Sequence, residues 1–247
     1  MSEYTLFHGD CLEIMKEIPD KSIDMILCDL PYGTTRNKWD TIIDLELLWK
    51  QYERIIKDNG AIVLFAQTPF DKVLGASNLK LLRYEWIWNK ILGTGHLNAK
   101  KMPMKQHENI LIFYKKMPTY NPQKRYGEPY HKTPSKTPST TGTTSSNYGK
   151  HISLGSTSNG ERYPVSILEF SNANRTNRFH PTQKPVELLE YLIKTYTNEK
   201  EIVLDNCMGS GSTGVACINT NRNFIGIELE EKYFNIAKQR IEKAIQK

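Results

Sequence analysis

The sequence is poor in cysteine and contains no long apolar run. Its four cysteines form no C-x-x-C spacing with one another or with histidine, so we expect no metal site and a reducing compartment. No stretch approaches the roughly 18 apolar residues of a membrane-spanning helix, and the first residues lack a basic segment followed by an apolar core. These absences predict a cytoplasmic location.

The overall composition is that of a globular protein. Hydrophobic residues make up 38% and charged residues 24% of the 247 positions, which is enough apolar content for one well-formed core. The formal net charge of +6 favours a polyanionic partner such as nucleic acid, although surplus lysine also serves solubility.

Short apolar strands alternate with amphipathic helices over residues 1–115 and again over 165–247. This alternation predicts one α/β domain with an open, mostly parallel, doubly wound sheet. One helix is predicted over 44–58, where Gly60 would end it. Residues 116–164 are rich in proline, glycine, serine, lysine and tyrosine, and they indicate either a flexible insertion or a nucleic-acid surface.

Residues 201–217, EIVLDNCMGSGSTGVAC, read as a strand, a glycine-rich turn and a helix. Gly209, Gly211 and Gly214 satisfy G-x-G-x-x-G, whose backbone lets a ligand approach closely. Glu228 ends the next strand, where a ribose hydroxyl pair is bound in such folds. Asp205 would repel a pyrophosphate and suits a ligand with a positive amino group, such as S-adenosylmethionine. A plain strand-to-helix turn is the alternative.

Residues 26–33, ILCDLPYG, place Asp29 at the end of an apolar strand. Beside a methyl donor, its carboxylate and the next backbone carbonyl would accept the two N–H bonds of an exocyclic amino group on a base. Tyr32 would stack on that base once it has left the duplex, and Pro31 would fix the turn. The alternative is an ordinary turn with an incidental tyrosine.

DLPY resembles the D-P-P-Y motif of amino-group DNA methyltransferases, and DNCMGSGSTG is similar to their cofactor motif. The motif order, with HPTQKP between the two, resembles the circularly permuted beta class. The resemblance covers residues 1–115 and 165–247, and it implies a Rossmann-like S-adenosylmethionine-dependent methyltransferase fold. It fails over 116–164, where such enzymes read their target, so it implies a target-recognition insertion there. Leu30 replaces the first proline of the motif, which keeps the carbonyl but loosens the turn.

The resemblance also implies roles for particular residues. Asp10 would contact the adenine of the cofactor, or else it only caps a helix together with Glu13. Lys184 would lie near the cofactor carboxylate, or else it is a solvated lysine at a helix start. The implied catalytic residues are Asp29, Leu30, Pro31 and Tyr32, and the implied cofactor-binding residues are Asp10, Cys11, Asp29, Thr182, Lys184, Asp205, Met208, Gly209, Ser210, Gly211, Ser212, Glu228 and Leu229.

The implied partner is double-stranded DNA, with a homodimer and a cognate restriction endonuclease as further expectations. A leading aspartate favours adenine N6 as the target, with cytosine N4 as the alternative, and residues 92–101 are expected to form a loop over the pocket. Methylation at cytosine C5 is disfavoured because no Pro-Cys pair exists. An NAD-dependent oxidoreductase, a catalytically silent nucleic-acid binding module, and methylation of RNA or of a protein glutamine stay open. Candidate DNA-binding residues are Lys115, Lys116, Lys124, Arg125, Lys132, Lys136, Arg175 and Arg178.

Overall fold

A computed structural model describes residues 2–33, 42–134, 155–172 and 183–246. The chain divides into two compact units, one formed by Met1–Asn121 with Ser166–Lys247 and the other by Pro122–Val165. The second unit coincides closely with the predicted insertion. Residues 116–121, assigned to that insertion from the sequence, belong to the first unit, because the Lys116 amide donates to the Asp58 carbonyl and the Asn121 amide to that of Thr195.

The described residues form strands and helices in the following order. The strands are β1 (Tyr4–His8), β2 (Ile23–Asp29), β3 (Ile56–Ala66), β4 (Leu82–Thr94), β5 (Lys105–Phe113), β6 (Arg125–Tyr126), β7 (Tyr130–Lys132), β8 (Ser156–Ser158), β9 (Glu161–Arg162), β10 (Ile167–Glu169), β11 (Ile202–Asp205) and β12 (Asn223–Glu228). The α-helices are α1 (Cys11–Ile14), α2 (Leu45–Ile55), α3 (Phe70–Ser77), α4 (Val186–Tyr196), α5 (Ser212–Asn219) and α6 (Glu231–Ile245).

The first unit contains one eight-stranded sheet in the order β1-β12-β11-β2-β3-β5-β4-β10. β5 pairs antiparallel with both of its neighbours, and every other pair in the sheet is parallel. The sheet is therefore mostly parallel, as predicted. Because β5 is reversed, its first residues lie at the edge where the parallel strands end.

Both faces of this sheet are covered, which explains why its central strands are apolar without alternation. In β2, Ile26 and Cys28 pack into the core cluster that contains α1, α2 and α3. Met25 and Leu27 face the opposite cluster, which contains α4, α5 and α6. The doubly wound Rossmann-like architecture predicted from the sequence is confirmed. No helix in the described ranges combines the length and apolarity needed to cross a membrane.

The helix predicted over 44–58 is wrong at its end. α2 stops at Ile55, and residues from Ile56 onward, Gly60 included, belong to β3. Ile56 pairs with Ile23 of β2 and is buried, so tertiary packing of a β-branched residue overrides the local helical pattern. A glycine that looked like a helix stop thus lies within a strand.

Candidate active site

Parallel strands bring the predicted motifs to one edge of the sheet. β2 ends at Asp29, β11 at Asp205 and β12 at Glu228, while β1 leads into Asp10. Because parallel strands end at a common edge, these four carboxylates line one cavity of about 480 Å³. The same cavity is lined by Gly209, so it joins the two turns that the sequence expected to meet.

The Asp29 carboxylate holds a hydrogen-bond donor on each oxygen. The Tyr32 hydroxyl donates to Oδ1 at 2.5 Å, and Lys184 Nζ donates to Oδ2. The Tyr32 ring stacks on Phe70 with ring centroids 5.3 Å apart, which fixes it in the cavity wall. Burial raises the pKa of Asp29, and the Lys184 ammonium acts in the opposite direction. With 22% of its side chain exposed, Asp29 is accessible from the cavity.

Lys184 is part of a buried row of alternating charges, which we call the charge row: Asp29, Lys184, Glu108 and Lys90. Lys184 Nζ lies 3.4 Å from Glu108 Oε2, and Lys90 donates to Glu108 Oε1. Burial would lower the pKa of Lys184, but the two carboxylates outweigh it and raise that pKa. Burial would raise the pKa of Glu108, but the two lysines outweigh it and lower that pKa. The charge row therefore holds four ionised groups next to the cavity.

The alternative reading of Lys184 as a solvated lysine is wrong, because only 9% of its side chain is exposed. It precedes α4, and its ammonium lies over the Phe65 ring at 5.1 Å from the centroid. Lys184 lines the cavity, so its expected contact with a cofactor carboxylate stays a prediction. Its partner Asp29 was not expected from the sequence.

Asp205 is a buried carboxylate at the far side of the cavity from this row in the strand order. Its Oδ2 accepts from the Thr213 hydroxyl at 2.6 Å, and its Oδ1 accepts from the Cys207 amide at 3.1 Å. Burial raises the pKa of Asp205 to about 7. A cationic ligand group beside it would restore its ionisation, which is what an amino group of a cofactor would supply.

The glycine-rich turn orients Glu228. The Gly209 amide donates to Glu228 Oε2 at 2.8 Å, and the Glu230 amide donates to Oε1 at 2.9 Å. Gly209 has φ of +51°, in the left-handed region that favours glycine. Gly211 precedes α5 with φ of +76°, and an added Cβ would lie 2.8 Å from Ala237 Cβ. Gly211 is thus required for packing against α6, and it is not among the described residues that line the cavity.

The other predicted cofactor residues lie mostly in the cavity wall. Asp10 does cap α1, since its Oδ1 accepts from the Leu12 amide at 2.7 Å, and it also faces the cavity. Glu13 pairs with Lys16 at 2.7 Å. Thr182 lies outside the described residues. The remaining predicted residues in the wall are Cys11, Leu30, Pro31, Met208, Ser210, Ser212 and Leu229.

Several residues of the wall were not predicted from the sequence. They are Gln67, Glu108, Gln183, Asn206, Thr213 and Tyr233. The signal for Glu108 was a charge that opens the apolar run ENILIF, but the sequence gave no indication of which end of the sheet that run begins at. Asn206 is held by the Tyr52 hydroxyl, which donates to its Oδ1 at 2.5 Å.

Cys28 directly precedes Asp29, and its environment excludes it as a nucleophile. Burial raises the pKa of Cys28 to about 12, so the thiol stays protonated at neutral pH. The structure therefore agrees with the expectation that no thiolate attacks a base here.

The predicted DNA-binding residues are dispersed. Lys115 donates to the Glu53 carbonyl and Lys116 pairs with Asp58 at 3.0 Å, both beyond the end of β5 and thus at the edge opposite the cavity. In the second unit, Lys124 pairs with Glu161 at 2.8 Å. Arg125 and Lys132 are exposed in that unit, whereas Lys136, Arg175 and Arg178 lie outside the described residues.

A doubly wound sheet with a nucleoside-sized cavity at its strand ends defines a Rossmann-like methyltransferase class, and comparisons identify the family. The family model described as DNA methylase, N6_N4_Mtase, matches residues 23–239. Type II methyltransferase M.HpaI of Haemophilus parainfluenzae is 28% identical, over 96% of this chain and 74% of its own length. DNA adenine methyltransferase YhdJ of Escherichia coli is 28% identical, over 97% of this chain and 83% of its own.

Solved structures agree with this result. The crystal structure of M1.HpyAVI in complex with SAM matches with a TM-score of 0.66 and 27% identity, over 96% of this chain and 99% of that one. The chain therefore belongs to the N6_N4_Mtase family of amino-group DNA methyltransferases, and its cofactor is S-adenosylmethionine. The NAD-dependent oxidoreductase alternative is accordingly dropped.

Proposed function

We propose that the chain methylates the N6 amino group of adenine at a specific sequence in duplex DNA. The single observation that carries this proposal is the cavity lined by both Asp29 and Gly209. The leading aspartate of DLPY supports adenine over cytosine, as does the name of the relative YhdJ, a DNA adenine methyltransferase. The family itself includes enzymes for both bases.

The cavity residues fit S-adenosylmethionine. Glu228 is held by two backbone amides and keeps lone pairs for ribose hydroxyls, and Gly209 brings bare backbone to the cavity. Asp205 offers a buried carboxylate to the amino group, and Asp10 borders the same space beside β1. When bound, the cofactor supplies an electrophilic methyl group on a sulfonium.

At the acceptor end, Asp29 is proposed to hold the target amino group. One N–H would bond to its carboxylate and the other to the Leu30 carbonyl, which draws the nitrogen toward tetrahedral geometry and exposes its lone pair. Both Asp29 oxygens already accept one donor each, and each has a second lone pair. The methylated nitrogen must release one proton, and Asp29 is the carboxylate that faces it, with a pKa raised by burial.

Tyr32 is proposed to stack on the flipped base. Its ring is fixed by Phe70 on one side and by its hydroxyl bond to Asp29, so a base stacked on it would present its edge to the same carboxylate. The pocket requires the base to leave the duplex, since Asp29 lies inside a cavity.

The second unit is proposed to recognise the target sequence. It contains two small antiparallel sheets, β6 with β9 and β7 with β8. Arg162 lies over the Tyr130 ring at 5.8 Å, and Lys132 over the same ring at 5.5 Å, which places cations beside an aromatic face. Phosphate and base contacts need these two residue types. We leave Lys115 and Lys116 out of this surface because of their position. A permuted class, a homodimer, a partner endonuclease and a cytoplasmic location remain predictions.

The reaction is tested by product analysis. We expect label from methyl-labelled S-adenosylmethionine to enter mixed-sequence duplex DNA, and nucleoside mass spectrometry to show N6-methyldeoxyadenosine. Recovery of N4-methylcytosine would replace the target base. Label confined to RNA or to protein, or no label at all, would overturn the proposal.

Cofactor affinity is expected to depend on pH through Asp205. In the free protein this carboxyl is protonated below its pKa of about 7, so binding a cation there requires loss of a proton. The dissociation constant should therefore rise by up to about tenfold per unit as the pH falls below 7. Above about pH 8 affinity should weaken again as the amino group of the cofactor loses its charge. Isothermal titration calorimetry from pH 5.5 to 8.5 measures both limbs.

The matched control is Asp205→Asn, which should remove the acid limb and keep the alkaline one. The titratable groups that face Asp205 are Cys28, Asp29, Tyr52 and Cys217. Burial keeps the two thiols and the phenol protonated across this range, and Asp29 is paired with Lys184. A variant that keeps the acid limb would assign it to another group.

A further inference from the structure

The turn between β4 and β5 carries exposed apolar side chains next to the cavity. We call residues 95–104 the hairpin tip. Leu97 is 88% exposed, and Met102 and Met104 are exposed as well. The Asn98 amide donates to the Gly95 carbonyl at 2.9 Å and the Met102 amide donates to the Asn98 carbonyl at 3.0 Å. The tip is thus an ordered turn that presents a leucine to solvent.

The base of this hairpin is part of the cavity wall. Thr94 pairs with Lys105 across the two strands, and Lys105 Nζ donates to Gln67 Oε1 at 2.9 Å. Gln67 and Glu108 both line the cavity. The hairpin tip therefore extends from the edge of the sheet where Asp29 lies.

The charge of the hairpin is of one sign. From residue 86 to residue 107 the sequence contains no aspartate or glutamate, and it contains Lys90, Lys100, Lys101 and Lys105. Lys100 and Lys101 are exposed on the tip itself. An exposed leucine flanked by lysines fits a polyanion that has an apolar gap, whereas a two-fold contact between copies would bring the same lysines together.

We propose that the hairpin tip inserts Leu97 into duplex DNA at the space vacated by the target base. This inference rests on the proposed function, because that function requires a base to leave the stack and leaves its partner base unstacked. An apolar side chain that enters a base step replaces part of the lost stacking, and lysines beside it bind the adjacent phosphates. The hairpin tip thus stabilises the extruded state, while Asp29 acts on the extruded base.

The test uses the site that wild-type protein methylates, mapped by sequencing of methylated plasmid DNA, with 2-aminopurine in place of the target base. Leu97→Ala is expected to reduce the fluorescence rise on binding and to slow single-turnover methylation of the normal duplex by at least about tenfold. Leu97→Met should stay within about twofold of wild type, since methionine also fills such a step. An abasic site opposite the target base, which removes pairing, should restore the Leu97→Ala rate to within about twofold of wild type.

Leu79→Ala is the matched control. Leu79 is 69% exposed and precedes β4, whose 13 residues separate it from the tip by about 40 Å. Equal behaviour of Leu97→Ala and Leu79→Ala would overturn the proposal. A changed molar mass of Leu97→Ala in light scattering would do so too, because the tip would then contact a second copy.

The lysines give an independent readout. Lys100→Gln with Lys101→Gln should lower the slope of log affinity for duplex DNA against log salt by about 2, at ~0.9 per lost phosphate contact. An unchanged slope would remove the tip from the DNA surface. If the wild-type protein transfers no methyl group to DNA, the proposed function fails, whereas this slope still tests the tip on its own.

Discussion

Asp29→Asn is expected to lower the rate of methyl transfer by about 10³-fold while the dissociation constant for S-adenosylmethionine changes less than about threefold. The amide keeps the volume but places an NH₂ group where one carboxylate oxygen accepted from Tyr32 or Lys184. One acceptor for the target amino group is lost, and so is the negative charge that favours a developing positive charge on nitrogen. Single-turnover methylation and calorimetric binding measure the two quantities.

Asp24→Asn is the matched control, since Asp24 lies near the start of the same strand. Its oxygens accept from Lys57 Nζ at 2.6 Å and from the Ile202 amide at 2.9 Å. The position is about 17 Å from Asp29 along β2, so this variant should lose stability but keep its rate per folded molecule. A loss of rate as large as that of Asp29→Asn, or an Asp29→Asn protein with more than a tenth of wild-type activity, would contradict the assignment.

Lys184→Met is expected to lower the methylation rate by about 10²-fold and to leave cofactor affinity nearly unchanged. The charge row explains both, since the Lys184 ammonium binds Asp29 and Glu108. Without it, burial would raise the pKa of Asp29 further. The active form is the ionised carboxylate, so the acid limb of the pH–rate profile should move to higher pH. The rate measured from pH 5 to 9 tests this shift.

The competing reading of Lys184, a contact to the cofactor carboxylate, predicts the reverse pattern. Affinity for S-adenosylmethionine would then fall at least about tenfold and the acid limb would not move. Lys57→Met removes the equivalent ion pair at the other end of β2 and controls for lost stability. Glu108→Gln combined with Lys184→Met in a double-mutant cycle would show whether the charge row acts as a unit.

The positions of the strand-end carboxylates could be predicted from the sequence because a parallel sheet collects the ends of its strands. Asp29, Asp205 and Glu228 each close an apolar run, and all three line the cavity. Their roles remain predictions, but their proximity followed from strand direction alone. Local pattern was sufficient here because each residue is placed by its own strand.

The charge row could not be predicted in this way. Lys184 and Asp29 are 155 positions apart, and Glu108 enters only because β5 runs against its neighbours. Apolar patterning is the same for either strand direction, so it did not reveal which end of ENILIF meets the cavity. The pairing of the small sheets in the second unit was hidden for the same reason, since Arg125 pairs with Arg162 and Tyr130 with Ser158.

The reversed strand β5 also has an evolutionary consequence. Thr94 and Lys105 clamp the two stems of the connection between β4 and β5, and the ten residues between them make no ladder contacts with the sheet. Changes of length or composition there leave the strand register intact, yet they alter what lies beside the reaction chamber. The segment is therefore an exchangeable cassette, through which related enzymes are able to diversify without rebuilding their scaffold.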